Sequence, residues 1–213
     1  MGEDTLSFQL SLKEGDFLVK LARKAVNEYL ETGIRVEIPE STPGKLLQLC
    51  GVFVTINKIG KEKKELRGCI GHPYPDMSLT QAVIESAIAS ATEDPRFPSI
   101  SVNELSDVVF EISVLTPPCE IIVEKPSGFS SRIRVGEDGL IVERGVFKGL
   151  LLPQVPVKWK WDGEEFLCQC CIKAGLPPDC WLLEGTKIFK FQAVIFEEEK
   201  PRGNTKRKTI DGK

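Results

Sequence analysis

Apolar residues recur at helical spacing after Ser11, near the start of the chain. Ser11 and Glu14 have the spacing of a capping box, in which each side chain accepts a free amide of the other residue. Gly33 is suited to end the helix in a left-handed conformation. The pattern predicts a helix from about Glu14 to Glu31, and we expect its apolar stripe to pack on a sheet through Leu18, Leu21 and Ala25.

The next segments alternate between strand and helix patterns. Residues 50–57 place Val52, Val54 and Ile56 on one face, and residues 66–70 form a second short apolar run. Because a lysine-rich polar stretch joins the two runs, they predict a hairpin. Ser78 is placed to cap a helix that runs to about Ala91 and ends before Pro95.

The second half predicts short strands and one further helix. Glycines punctuate the apolar runs between residues 133 and 152, which indicates strands and turns. Asp162 can cap a helix that closes at Gly175, and residues 188–196 predict a last, central strand. The charged residues from 198 to 213 predict a frayed C-terminal tail.

These elements are interleaved without a regular βαβ order, so the fold class we expect is α+β with a mixed or mostly antiparallel sheet and packed helices. We expect one domain over residues 10–197, divided into two subdomains. The minor subdomain is predicted at about residues 45–115, packed on a larger part that both termini form.

The charge and cysteine content narrow the function classes. A net charge of −3 does not favour a surface that binds duplex nucleic acid. The chain has no apolar run long enough for a membrane helix, and its acidic start lacks a signal-peptide core. We therefore expect a cytoplasmic protein, in which the 7 cysteines are reduced.

The segment Leu66-Arg67-Gly68-Cys69-Ile70-Gly71 is the most unusual in the chain. Glycines weaken a strand, so Gly68 and Gly71 indicate that something approaches the backbone closely. In a regular strand Arg67 and Cys69 share one face. Arg67 would then lower the pKa of the thiol, or bind a carboxylate or phosphate. The alternative is a buried cysteine beside an arginine that pairs with a structural carboxylate.

Three other groups of residues are candidate sites. His72, the only histidine, could pair with Cys69 as a base, or could be an ordinary turn residue. Asp94 and Arg96, held between prolines, either face the same cavity as Arg67 or pair with each other at the helix end. The cysteine cluster lacks the second pair of knuckles that four-sulfur zinc sites usually have, so we expect no metal at Cys168, Cys170, Cys171 and Cys180.

In sequence order, several motifs resemble the AMMECR domain family, named for the Alport syndrome, midface hypoplasia and elliptocytosis chromosomal region. They are Leu66–Gly71, Asp94 with Arg96-Phe97-Pro98, Glu111–Leu115, Gly149–Val155, and the stretch from Phe166 to Trp181. The resemblance covers about residues 10–197. It implies an α+β fold with two subdomains and a cleft near Leu66–Gly71, but no activity. Some relatives are encoded beside, or fused to, Memo-like and radical SAM proteins, which implies these as partners.

From the residues and the resemblance together, the leading prediction is a binding or accessory domain without a cofactor. Its cleft would hold a small anionic ligand or a partner's segment, with Cys69 beside the binding residues Arg67, Gly68, Gly71, Asp94 and Arg96. One alternative is an enzyme that uses Cys69 as a nucleophile. The other is an RNA-associated protein that uses its lysine-rich surfaces, although nucleic acid binding is not expected from the charge.

Overall fold

A computed structural model of the chain describes residues 9–60 and 63–209. Within these residues the chain forms two compact units: one extends up to Leu115 and includes Val194–Lys208, and the other is formed mainly by Thr116–Ala193. The predicted α+β class is confirmed, since helices pack on antiparallel strand pairs in each unit. None of the helices in the described ranges is long and apolar enough to span a membrane.

The helices, in chain order, are α1 Leu12–Thr32, α2 Leu79–Thr92, α3 Gln154–Trp159 and α4 Gly163–Lys173. The strands are β1 Gly51–Ile59, β2 Lys64–His72, β3 Val108–Leu115, β4 Cys119–Glu120, β5 Gly139–Arg144, β6 Phe147–Leu151, β7 Lys187–Phe191, β8 Ala193–Glu198 and β9 Thr205–Lys208. In the first unit the sheet order is β2-β1-β3-β8-β9, and in the second it is β4-β7-β5-β6.

The N-terminal helix begins as its sequence predicts. Ser11 and Glu14 form both hydrogen bonds of the capping box, and Gly33 closes α1 in the left-handed conformation. The packing of the stripe differs from the prediction. Leu18 joins the core on the sheet, whereas Leu21 and Ala25 belong to a cluster with apolar residues of α2. Helix α1 therefore divides its apolar surface between the sheet and a neighbouring helix.

The hairpin predicted in the first half is formed by β1 and β2, which pair from Val52↔His72 to Ile59↔Lys64. Its connecting residues 61 and 62 lie outside the described residues. Strand β3 pairs with the other edge of β1, so β1 is central and β2 lies at the edge of the sheet. The core face of this sheet carries Val52, Val54 and Ile56, all fully buried.

Two predictions about the C-terminal third are wrong. Residues 188–196 do not form one strand: β7 ends at Phe191 in one sheet, and β8 starts at Ala193 in the other. The charged residues after Glu197 are not simply a frayed tail, because β8 continues to Glu198 and β9 pairs with it between Ile195↔Lys208 and Glu198↔Thr205. The residues from 210 onward lie outside the described residues.

The predicted minor subdomain also needs correction. Residues 45–115 belong to the larger unit, and Thr116–Ala193 form the smaller one. The physical reason is the sheet order, in which β8 returns from late in the chain and lies beside β3. The smaller unit has a core of its own, where Phe166, Leu167 and Cys170 of α4 pack against Leu140 and Val142 of β5.

Candidate functional site

Strand β2 contains a bulge at Arg67, which sets the direction of that side chain. Ile56 pairs with Gly68 and Asn57 pairs with Leu66, so the register skips Arg67. A bulge leaves the extra residue unpaired and can redirect its side chain. The expectation that Arg67 and Cys69 share a face assumed a regular strand, and that assumption fails at this position.

The guanidinium of Arg67 is committed to protein partners. Its Nε donates to Oε1 of Glu104 at 3.0 Å, and its Nη1 donates to the carbonyl oxygen of Pro98 at 2.8 Å. A longer bond of 3.4 Å reaches the carbonyl of Ser99. With 12% of its side chain exposed, Arg67 acts as a structural clamp on the segment after α2. Arg67 therefore pairs with a structural carboxylate, which is the alternative that the sequence left open.

Asp94 is the second link between β2 and that segment. Its Oδ2 accepts a 2.8 Å hydrogen bond from the backbone amide of Cys69. Its Oδ1 accepts bonds from the backbone amide and from Nε of Arg96, at 3.1 and 2.9 Å. These bonds, chiefly those from the Arg96 side chain, hold the pKa of Asp94 far below its usual range although the carboxylate is buried.

Arg96 differs from Arg67 in its exposure. Its Nη2 lies 2.6 Å from Oδ2 of Asp94, yet 53% of the Arg96 side chain is exposed, against 2% for Asp94. A longer bond of 3.4 Å joins the same nitrogen to the carbonyl oxygen of Cys69. The guanidinium is therefore fixed on one edge by a buried acid and open to solvent on the other.

Phe97 lies between the two arginines. The guanidinium carbon of Arg96 is 5.5 Å from the centre of its ring, and that of Arg67 is 6.0 Å away. Both distances are within the range of cation–π attraction. The four predicted site residues Arg67, Cys69, Asp94 and Arg96 thus meet in one network, which is built around the turn 94–99.

The thiol of Cys69 is not activated by Arg67. Its Sγ accepts a 3.3 Å hydrogen bond from Oγ1 of Thr55, its cross-strand partner on β1. Burial raises the pKa of Cys69, and the Thr55 hydrogen bond and the charge of Arg96 oppose that shift without cancelling it. A reactive cysteine needs a lowered pKa, so this environment does not favour the thiolate.

Gly68 and Gly71 allow other parts of the protein to pack closely on β2. A Cβ added at Gly68 would lie 2.0 Å from the backbone oxygen of Ser90, so α2 packs directly on the strand there. At Gly71 the added atom would lie 2.4 Å from the ring of Phe53. The close approach that these glycines predict is therefore made by α2 and by the sheet.

His72 lies on the other side of β2 from Cys69. Its Nδ1 is 2.9 Å from Oγ of Ser86 on α2, whereas the thiol contacts Thr55. Residues an odd number of positions apart point to opposite faces of a strand. The structure therefore gives no support to a Cys69–His72 catalytic pair.

The cysteines of the smaller unit have individual protein contacts. Cys170 lies in the core, where burial raises its pKa to about 12, and the indole nitrogen of Trp181 donates to Sγ of Cys168 at 3.4 Å. Within residues 9–60 and 63–209, no group of three or more His, Cys, Asp or Glu side chains is arranged to hold a metal ion.

Glu111 begins one of the motifs that resemble the AMMECR family, but it is not among the predicted site residues. It is buried in the middle of β3, and its cross-strand partner Thr55 pairs in turn with Cys69. Lys208 of β9 contacts Oε2 of Glu111 at 2.7 Å. The sequence signal that could have identified Glu111 is its position as the one acidic residue in the otherwise largely apolar run of residues 108–115. The partner lysine lay in the segment that was expected to be frayed.

Comparison with known proteins gives consistent matches over most of the chain. A family model described as AMMECR1 matches residues 19–196. Protein PH0010 of Pyrococcus horikoshii is 54% identical over 204 residues, covering 95% of this chain and 98% of the relative. A protein of Methanothermobacter thermautotrophicus is 53% identical over 190 residues, covering 89% of this chain and 97% of the relative.

A solved structure supports the same relationship. The crystal structure of uncharacterized protein PH0010 from Pyrococcus horikoshii aligns with a TM-score of 0.86 and 55% sequence identity. The alignment covers 92% of this chain and 97% of that chain. At this level of identity the likeness extends from the fold to the sequence.

Proposed function

The chain belongs to the AMMECR1 family, and from that premise we propose that it is a binding or accessory domain that recognises an acidic segment of a partner protein. The recognition surface is the turn 94–99, and Arg96 is its anchor. The proposal rests on one observation: Arg67 and Cys69, two residues apart on β2, both hold this exposed turn in place.

The first support is preorganisation. Arg67 binds the turn at the carbonyl of Pro98, and Asp94 ties its start to the amide of Cys69. A surface that is already fixed loses less conformational freedom when a partner binds. The turn is fixed by the buried carboxylate of Asp94, by Glu104 through its bond to Arg67, and by the strand bulge at Arg67. It is fixed in this way although it contributes little apolar surface to the core.

The second support is the open edge of Arg96. Arginine binds carboxylates through parallel N–H donors, and its guanidinium is more weakly hydrated than a lysine ammonium. The bonds to Asp94 use Nε and Nη2, and 53% of the side chain is exposed, so Nη1 is the donor that we assign to a partner carboxylate. The neighbouring Phe97 adds an apolar surface beside this donor.

A partner segment fits this surface better than a small anion does. Small-molecule sites are usually concave and bury most of the ligand. Arg96 instead lies on a turn whose flanking Pro95 and Pro98 are exposed. An extended chain can lie along such a turn and place a carboxylate against the guanidinium.

The two alternative functions lack a supporting observation of this kind. An enzyme with Cys69 as nucleophile is not favoured, because burial raises the pKa of the thiol. RNA binding is not favoured by a net charge of −3. The Memo-like and radical SAM proteins that the family resemblance suggests are our first candidates for the partner, and a cytoplasmic location is part of the same proposal.

Nuclear magnetic resonance can test the proposal at the level of single residues. A blocked oligoglutamate peptide is titrated into the ¹⁵N-labelled full chain, and backbone amide shifts are followed. We expect saturable shifts centred on Arg96 and Phe97, which weaken as salt is added because the contact is electrostatic.

Two variants make this test specific. Arg96→Gln should remove the shifts, whereas Arg35→Gln should keep them. Arg35 is a matched control because it is also half exposed, at 50%, and also pairs with a carboxylate, that of Glu85. Shifts that centre elsewhere, or that survive in Arg96→Gln, would refute the proposal. A response to acetate equal to that of the peptide would favour the small-anion alternative.

A further inference from the structure

A second surface in the larger unit is a groove of about 640 Å³ between α1 and the turn that joins β8 to β9. It lies apart in sequence from the residues that hold the 94–99 turn. Lys20 and Lys24 line it from α1, and Arg202 lines it from the turn. Its volume is in the range of small-molecule sites in proteins.

Three cationic side chains, those of Lys20, Lys24 and Arg202, line this groove together with the carboxylates of Glu28 and Glu31. Lys20 and Lys24 are four residues apart, so they lie on the same face of α1. Lys20 pairs with Asp16 at 2.6 Å on the surface. Among the residues that the structure describes, Lys24 and Arg202 form no ion pair, so two cations of the groove remain available to an anion.

Arg23 also lines the groove, but unlike Lys24 and Arg202 it is paired with a carboxylate of the protein. Its Nε donates to Oε1 of Glu198 at 2.6 Å, and its terminal nitrogens bind the carbonyl oxygens of Leu105 and Val108. Its guanidinium also lies over Phe110, 4.7 Å from the centre of the ring. Arg23 is therefore a structural residue that fixes the wall of the groove.

The backbone conformation at Arg202 makes this residue suitable for a test by substitution. Arg202 has φ 55, in the left-handed region that costs a non-glycine residue free energy. Pro201 precedes it and Gly203 follows it. Glycine would adopt this conformation without strain, so the arginine is kept at the tip of the turn at a cost in stability.

The other end of the groove carries hydrogen-bond acceptors. Glu28 and Glu31 line it from later turns of α1, and Asn27 lies between them and the lysines. Carboxylates can accept hydrogen bonds from hydroxyl groups, as they do from ribose in nucleotide sites. The groove is thus bipolar along the helix, basic at one end and accepting at the other.

We propose that this groove binds a phosphorylated, hydroxyl-rich small molecule, such as a sugar phosphate. The phosphate lies among Lys20, Lys24 and Arg202, and the hydroxyl groups face Glu28 and Glu31. This site is additional to the recognition of an acidic segment at Arg96, and neither site depends on the other.

The experiment uses isothermal titration of the full chain with ribose 5-phosphate, inorganic phosphate and ribose as probes. We expect saturable binding of ribose 5-phosphate that is stronger than the binding of either part alone. Lys24→Gln and Arg202→Gly should each weaken it by about fivefold or more, as the loss of one charge-assisted contact does. Arg96→Gln should bind as the wild type does.

The melting temperature of Arg202→Gly distinguishes a loss of binding from a loss of folding. Because it relieves the strained backbone, it should keep or raise the melting temperature while binding is lost. Lys160→Gly is the matched control: Lys160 has φ 58 and lies in the other unit, so it should gain stability in the same way and keep binding. Wild-type affinity in Arg202→Gly, or equal binding of ribose 5-phosphate and inorganic phosphate, would overturn the proposal.

Discussion

The backbone amide of Cys69 donates a 2.8 Å hydrogen bond to the carboxylate of Asp94, 25 residues further along the chain. The bond joins the edge strand β2 to the turn after α2. Because Arg96 binds the same carboxylate, the position of its guanidinium depends on β2. Residues 66–71 therefore help to determine where the exposed guanidinium of Arg96 lies, because they hold the turn that carries it.

Asp94 should make stability depend on pH in the acidic range. Arg96 and the Cys69 amide lower the pKa of Asp94 in the folded protein, so the unfolded chain binds more protons. The stabilisation is complete above the ordinary aspartate pKa of about 3.9 and is lost as the pH falls below it. Asp94→Asn should cost about 1–3 kcal/mol at neutral pH and should lose less stability on acidification. Urea unfolding across this range measures both effects, and parallel pH curves for the two proteins would contradict the assignment.

Gly68 should tolerate no side chain. A Cβ there would lie 2.0 Å from the backbone oxygen of Ser90, which belongs to the packed helix α2 and cannot rotate away as a side-chain end could. We expect Gly68→Ala to destabilise by about 3 kcal/mol or more. Gly44→Ala is the control, since no atom lies within 4 Å of the added Cβ. Similar free energies of unfolding for both variants would show that α2 can move away from β2.

The cysteines should differ in their rates of alkylation. Cys119 is exposed, whereas Cys69 is partly buried with a raised pKa. At neutral pH, iodoacetamide should therefore label Cys119 well before Cys69, and peptide mass spectrometry can follow each site. Labelling of Cys69 first would revive the nucleophile that the sequence suggested as an alternative.

Arg67 should control the mobility of the turn. Lysine cannot reproduce the contacts that the guanidinium makes with Glu104 and two carbonyl oxygens. Arg67→Lys should keep the fold but speed hydrogen exchange at the amides of residues 96–101. Arg35→Lys serves as the comparison at an exposed ion pair. Unchanged exchange in Arg67→Lys would mean that Asp94 alone is enough to hold the turn.

Local signals in the sequence were sufficient for some elements. The Ser11 and Glu14 capping box is visible within four residues, and it forms as expected. Asp162 likewise caps α4 by accepting from the amide of Glu165 at 2.9 Å. Each of these interactions lies within one turn of a helix, so no knowledge of distant contacts is needed to predict it.

The directions of the side chains at the site depend on how separate strands pair with each other. The bulge at Arg67 exists only because β2 pairs with β1 in one register on each side of it. The apolar run 188–196 does not indicate that its two halves join different sheets. In the structure the break falls at Gln192, whose backbone amide donates to Oγ1 of Thr116 at 2.8 Å. Sequence therefore located the residues of the network but not the directions of their side chains.

The central claim is that Arg96 binds an acidic segment, and fluorescence anisotropy tests it most directly. Labelled oligoglutamate and oligoglutamine peptides are compared on the wild type, Arg96→Gln and Arg35→Gln. We predict that the wild type and Arg35→Gln prefer the acidic peptide, and that Arg96→Gln binds it about fivefold more weakly. Equal affinity of all three proteins for the acidic peptide would contradict the account.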